Sequence, residues 1–204
     1  MDVVTVTPSL DRAVLSLRDA GELDAAADAL LQRLGPEIRG FLEATVGDGL
    51  GAAEAFSLFC EDVWRGLGGF RGDSALRTWC YAVARRAAFR VLRGERERRR
   101  RFVAGESQLL EAPAGVRTTT ARFVRTAAKE GVRALRASLS DGERELLLLR
   151  VDRGLDWRDI AHIQLPEGAP NEDLTRHAAA LRKRFERTTG RLRALALDAG
   201  LIQP

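Results

Sequence analysis

Two stretches of this chain carry side chains suited to chemistry on a polyanion. In residues 74–100, Arg77, Arg85, Arg86, Arg93 and Arg96 recur among apolar residues, with Tyr81 and Phe89 between them. At about 100° per residue, Leu76, Trp79, Cys80, Val83, Ala87 and Val91 gather on one helix face, which predicts the core side. The arginines and both aromatics fall on the rest of the circumference. Such a face can hold a nucleic-acid backbone while rings and guanidinium planes stack on exposed bases. It can equally be a solvated face whose aromatics cover neighbouring helices. In residues 172–193, Leu174, Ala178, Leu181 and Phe185 form one stripe, while Arg176, Ala180, Lys183 and Arg187 point away from it. An apolar stripe that seats a helix, with basic residues outward, suits a major groove. Trihelical bundles with no DNA partner share that pattern.

The remaining reactive types offer less. Cys60 and Cys80 lie 20 residues apart, and His162 and His177 are the two histidines. Neither pair has metal-ligand spacing, so buried free thiols and no metal are expected. No Ser/His/Asp order is credible, and GDGLG (47–51) joins helices rather than following a strand as a phosphate loop would. No enzyme and no cofactor is expected.

The elements that must position these residues read as helix nearly throughout. Helices are expected at 9–19, 22–46, 51–66, 74–100, 119–137, 141–152, 157–164 and 172–197, with a kink at Gly35-Pro36. Asp73 or Ser74 is placed to cap the fourth, Ser140 and Glu143 have capping-box spacing, and Asp156 can cap the helix from Trp157. Leu146, Leu147 and Val151 are the expected core residues of the helix over 141–152. Residues 102–118 mix Pro, Gly, Ser and Thr without periodicity and read as a flexible linker. The expected architecture is all-α: one small helical domain over 1–101, a linker over 102–118, and a second over 119–204 with a C-terminal extension.

The chain of 204 residues is 45% hydrophobic and 30% charged, which supports a packed core. Its net charge of +4 hides a sharp division. Residues 1–65 hold five arginines against twelve acids, whereas 71–101 hold eleven arginines against three acids. Such segregation predicts basic surfaces for a polyanion and an acidic surface for something else. No apolar run approaches the roughly 18 residues of a membrane span, and MDVVTVTPSLDR lacks the pattern of a secretory leader. A cytoplasmic location is expected, with no membrane insertion.

The segment FRGDSALRTWCYAVARRAAFRVLR (70–93) resembles the region-two signature of RNA polymerase sigma factors of the extracytoplasmic-function (ECF) type. LSDGERELLLLRVDRGLDWRDIAHI (139–163) is similar to the opening of region four, and RLGPEIRGFL (33–42) and VWR (63–65) add weaker matches. The resemblance implies a sigma-70 family factor that binds core RNA polymerase, recognises promoter −10 and −35 elements and promotes transcription initiation. It implies that Phe70, Arg71, Gly72, Asp73 and Ser74 help form a pocket for an unstacked −10 base. Arg77, Arg85, Arg86 and Arg90 would lie along the single strand. Thr175, Arg176, His177 and Lys183 would serve the −35 duplex. The polymerase-facing positions would be Glu54, Ser57, Leu58, Glu61 and Asp62. A dedicated anti-sigma factor is a common arrangement in the family.

This chain departs from the family pattern at named places. Ser57-Leu58 stands where a Gln-Glu pair is usual, Glu61-Asp62 where an apolar–basic pair is usual, and Arg86 where many members have Asn. The region-four turn becomes QLPEGAPNED (164–173), about three residues longer, with Glu172 and Asp173 at the start of the recognition helix. The tail GRLRALALDAGLIQP (190–204) extends past the ordinary end of region four. Two other functions fit parts of the pattern: a free-standing helix-turn-helix regulator, and a sigma-like adaptor that no longer initiates.

Overall fold

A computed structural model describes residues 10–47, 49–103 and 138–203, and every regular element among them is helical. The expected linker from residue 104 onward and the expected helix at 119–137 lie outside the described residues. The first group comprises α1 (Leu10–Asp19), α2 (Leu23–Val46), α3 (Leu50–Gly66), a 3-10 turn (Leu67–Gly69) and α4 (Leu76–Val103). The second comprises α5 (Asp141–Leu147), a π-helical turn (Leu148–Asp152), α6 (Trp157–Gln164) and α7 (Asn171–Asp198). Gly35-Pro36 does not interrupt α2, which continues through Pro36 to Val46. Between α2 and α3, Gly47 and Gly49 both adopt φ +102°, a conformation that a Cβ would strain.

The core of the first group forms around α4, which is packed by α2, α3 and α6. Leu76, Trp79, Cys80, Val83, Ala87 and Val91 are all buried, as their shared face requires. Burial nevertheless extends around the helix from Thr78 to Ala84, because neighbours close on it from more than one side. Tyr81 is therefore not a surface aromatic. Its ring meets Phe41 edge-on at 5.1 Å, and its hydroxyl donates to Glu37 Oε1 at 2.6 Å. The amphipathic pattern shows which residues prefer the core, but not that alanines 82, 84 and 88 admit further helices onto the other side.

The start of α4 also differs from expectation. Ala75 provides the carbonyl that accepts from the Trp79 N–H, so neither Asp73 nor Ser74 stands at the cap. The free Leu76 N–H donates instead to Asp11 Oδ2 of α1 at 3.2 Å. Asp73 turns to Arg71 at 2.9 Å. A long-range carboxylate thus does what a local one usually does.

In the second group, the Ser140 N–H and hydroxyl donate to Glu143 Oε2 at 2.9 and 2.7 Å, completing the capping box. The Asp159 N–H donates to Asp156 Oδ1 at 2.9 Å, so Asp156 caps α6. The helix expected over 141–152 widens into a π turn after Leu147. That extra residue per turn rotates the following side chains: Leu149 is buried, and Val151, expected in the core, is 61% exposed. On α7, Leu174 and Leu181 are buried, while Ala178 and Phe185 pack against the core; the Phe185 ring meets Trp157 at 5.3 Å. One contiguous cluster of buried residues runs from Val14 in α1 to Leu181 in α7 and joins the two groups. In the tail, Ala196 is buried and Leu195 is exposed.

Candidate nucleic-acid interface

The loop after the 3-10 turn and the α4 arginines form the first candidate surface. Phe70 is buried against Trp79, with ring centroids 5.5 Å apart, and its carbonyl accepts from Arg18 Nη1 at 2.7 Å. Gly72 takes φ +78°, which turns the loop back toward α4. Arg71, Gly72 and Asp73 are exposed and Ser74 half-buried, so this loop presents polar groups beside a fixed aromatic.

The four arginines expected along a strand do not form one row. Arg77 donates to Glu37 Oε1 at 2.5 Å and to the Arg153 carbonyl at 2.8 Å. Burial opposes the Glu37 charge, but hydrogen bonds from Arg77 and Tyr81 and the charges of Arg77 and Arg153 outweigh it. They hold Glu37 below the ordinary carboxylate pKa. Arg85 lies over the Phe89 ring at 4.5 Å and donates to Glu145 at 2.5 Å, and Glu145 is itself buried. Arg90 pairs with Asp62 of α3. Arg86 is exposed at the loop. An exposed pair contributes about 0–1 kcal/mol, so a phosphate can displace Asp62 from Arg90 at little cost. Stranding a buried Glu145 costs several times more. Arg86 and Arg90 are the available cations, and Arg77 and Arg85 are committed elsewhere.

The second candidate surface is α7. Arg176, Ala180, Lys183 and Arg187 are all exposed on the side opposite Leu174, Leu181 and Phe185. Arg176 pairs with Asp173 one turn earlier, an exposed contact that a phosphate can replace. The Thr175 hydroxyl donates to the Asn171 carbonyl at 2.9 Å. His177 leaves this face: its Nε2 lies 3.1 Å from Gln164 Oε1, and burial and then the Arg85 charge push its pKa down. Three of the four residues expected at a duplex therefore stay on α7's outer sides, while His177 turns towards α6.

The third is the outer side of α3. Glu54, Ser57 and Glu61 are exposed along one face, Leu58 turns partly inward against the core, and Asp62 turns to Arg90. Leu50 and Trp64 share that face and are 91% and 58% exposed. The Trp64 indole N–H is fixed by Asp24 Oδ1 at 2.8 Å, so the ring is held rather than free.

The region-2 family model of sigma-70 factors (Sigma-70 region 2) matches residues 30–98, which span most of α2, all of α3 and most of α4. The RNA polymerase sigma-H factor of Pseudomonas aeruginosa is 28% identical over 167 residues, covering 79% of this chain and 86% of that protein. Residues 30–98 are thus a sigma-70 region 2. A solved structure of the sigma factor RpoE with the anti-sigma factor NepR, from Bartonella quintana, shares the fold. Its TM-score is 0.51 at 20% identity, over 81% of this chain and 92% of that one.

Sequence reasoning overlooked four side chains that organise the surfaces. Trp64 was legible, since it continues the 54, 57, 61 spacing of α3. Glu37, Glu145 and Asp159 were not, because each meets α4 from at least 40 residues away in sequence. The Thr78 hydroxyl donates to Asp159 Oδ1 at 2.8 Å, across 81 residues. Cys80 is buried with its thiol pKa pushed up by burial, and half-buried Cys60 is shifted the same way; both are free cysteines. Among the described residues, no group of three or more His, Cys, Asp or Glu could hold a metal ion. No helix among them is long and apolar enough to cross a membrane.

Proposed function

We propose that this chain is an ECF-type sigma factor that binds core RNA polymerase in the cytoplasm, directs it to promoters and promotes opening of the duplex. A division at about 1–101, 102–118 and 119–204 belongs to this reading, as does a −10 and −35 assignment for the two basic surfaces. The observation that carries it is one chain pairing the region-2 stretch with a second helical group that turns Arg176, Lys183 and Arg187 outward together. Two weak DNA contacts gain from being tied to one enzyme, because each raises the effective concentration of the other.

On this reading the −10 strand is taken by Arg71, Ser74, Arg86 and Arg90 around the Phe70–Trp79 pair. The −35 duplex is taken by Thr175, Arg176 and Lys183. The polymerase face is Glu54, Ser57 and Glu61, to which we add Trp64 as an aromatic anchor of the type that concentrates binding energy.

The test is to mix the protein with sigma-free bacterial core polymerase, follow it by size-exclusion chromatography, and run transcription on fragmented genomic DNA. Co-elution with discrete run-off transcripts is the expected result. Co-elution without transcripts would mean a sigma-like adaptor. Absence of co-elution, with specific duplex binding by the protein alone, would mean a free-standing regulator. Trp64→Ala should weaken co-elution while leaving the far-UV helical signal unchanged.

A further inference from the structure

We propose that Asp11 and Arg18 of α1 are positioning residues for strand capture: together they clamp the 71–75 loop at both ends, in the shape that receives an unstacked base. The proposal rests on the −10 assignment above and adds what fixes the shape of that loop.

The first argument is where the two bonds fall. Arg18 Nη1 donates to the Phe70 carbonyl at 2.7 Å, which fixes the peptide leading into the loop. The Leu76 N–H donates to Asp11 Oδ2 at 3.2 Å, which fixes the peptide leading out of it. Arg71, Gly72, Asp73, Ser74 and Ala75 lie between, with Gly72 at φ +78°. Among the described residues, the other hydrogen bonds and ion pairs of this stretch are local: Arg71 with Asp73, and the Ala75 carbonyl with Ser74 and Trp79. The span of the loop is therefore set from outside, by one helix.

The second is why α1 can do this. Asp11, Val14, Leu15 and Arg18 share one face, at i, i+3, i+4 and i+7. Val14 is fully buried and Leu15 packs against the core, so that face is seated with a polar residue at each end. Asp11 and Arg18 stand two turns apart, about 10 Å along the axis. Five residues can reach about 17 Å when extended, so the clamp imposes an arch rather than a taut strap.

The third is aim. Asp19 Oδ1 accepts from Arg18 Nε at 2.8 Å and Nη2 at 2.7 Å, which leaves Nη1 for the Phe70 carbonyl. The Arg18 side chain is 20% exposed, so its charge is spent on the loop rather than offered to a phosphate. The same bond holds the backbone of Phe70, whose ring packs on Trp79. A loop that must become ordered as a base arrives subtracts that ordering from the affinity, and one already held does not.

The test uses core polymerase saturated with each full-length variant, and two fluorescein-labelled oligonucleotides read by anisotropy. One is the non-template −10 strand of a promoter that the run-off assay delivers; the other is the same strand made abasic across the −10 element. Arg18→Ala and Asp11→Ala should each weaken binding of the base-bearing strand about tenfold, the contribution of one hydrogen bond to a charged group. Binding of the abasic strand and the salt slope should not change. Asp11→Asn keeps an oxygen that accepts from the Leu76 N–H, so it should stay within about twofold of wild type. In Arg18→Ala, hydrogen exchange of the 71–76 amides should quicken about tenfold while that of α3 stays the same. Equal loss on both strands, or 71–76 amides exchanging at the wild-type rate, overturns the clamp. So does a salt slope lower by about 1 in Arg18→Ala, which would make Arg18 a phosphate contact. Should an alanine variant fail to fold, Asp19→Ala carries the test, because Asp19 is exposed and its loss frees the Arg18 guanidinium. It should cost about threefold on the base-bearing strand alone. Wild-type polymerase that binds both strands equally overturns the −10 assignment and the clamp with it. A wild-type preference that every variant keeps overturns the clamp alone.

Discussion

Glu37 holds two donors at once, the Arg77 guanidinium and the Tyr81 hydroxyl, in the field of a third group, Arg153. A hydrogen bond to a charged group contributes about 1.5–3 kcal/mol. Tyr81→Phe keeps the ring in its place against Phe41 and removes only the hydroxyl. It should lower stability to urea by about that amount and leave strand binding unchanged. Were Tyr81 a platform for bases, Tyr81→Phe would instead leave stability unchanged, and Tyr81→Ala would lose binding without unfolding. On the outer face of α7, Arg176→Ala with Lys183→Ala should weaken duplex binding and reduce its salt slope by about 2, one per phosphate contact. An unchanged slope would remove both residues from the interface.

At the level of elements, the entry to α5 depends on one carboxylate. Glu143 accepts from Ser140 through hydroxyl and backbone, and from Arg191 and Thr188, and its pKa is lowered to about 2. The folded value lies below the ordinary carboxylate value of about 4.3, so its contribution is complete above about pH 5. It is lost as the pH falls from there towards 2. Glu143→Gln should therefore flatten the acid limb of a stability–pH curve, a difference that urea midpoints along that range would show. Past α5, the π turn makes two neighbouring aliphatics unequal. Leu149→Ala should cost about 2–5 kcal/mol, because it empties a fully buried site. Val151→Ala should stay within about 0.5 kcal/mol, since that side chain faces water.

For the whole molecule, what was legible in the sequence was what local periodicity controls. Helix spans, the Leu76–Val91 core face, the Leu174–Phe185 stripe and the caps at Ser140 and Asp156 all follow from residues within a turn or two of each other. The errors arise where distant segments meet. Tyr81 is buried because Glu37 lies across from it, and the cap on α4 comes from Asp11 of α1. Val151 turns outward because the helix widens, which no side-chain pattern announces. The site divides the same way. Arg176 and Lys183 stand where their own helix puts them, whereas the roles of Arg77 and Arg85 are decided by partners on other helices.

The π turn at Leu148–Asp152 also works as a gear between the two halves of the protein. One residue of helix corresponds to about 100° of rotation. The extra residue there sets the angle at which the chain leaves α5, and it brings the Arg153 carbonyl to Arg77. Deleting Val151, which mostly faces water, would close the turn to ordinary α-helix and swing everything downstream by that angle. Arg153, and with it α6, would then face a different side of α4. A deletion on the surface would thus act on the far half of the chain as a change of phase, a larger effect than any single truncation in the core.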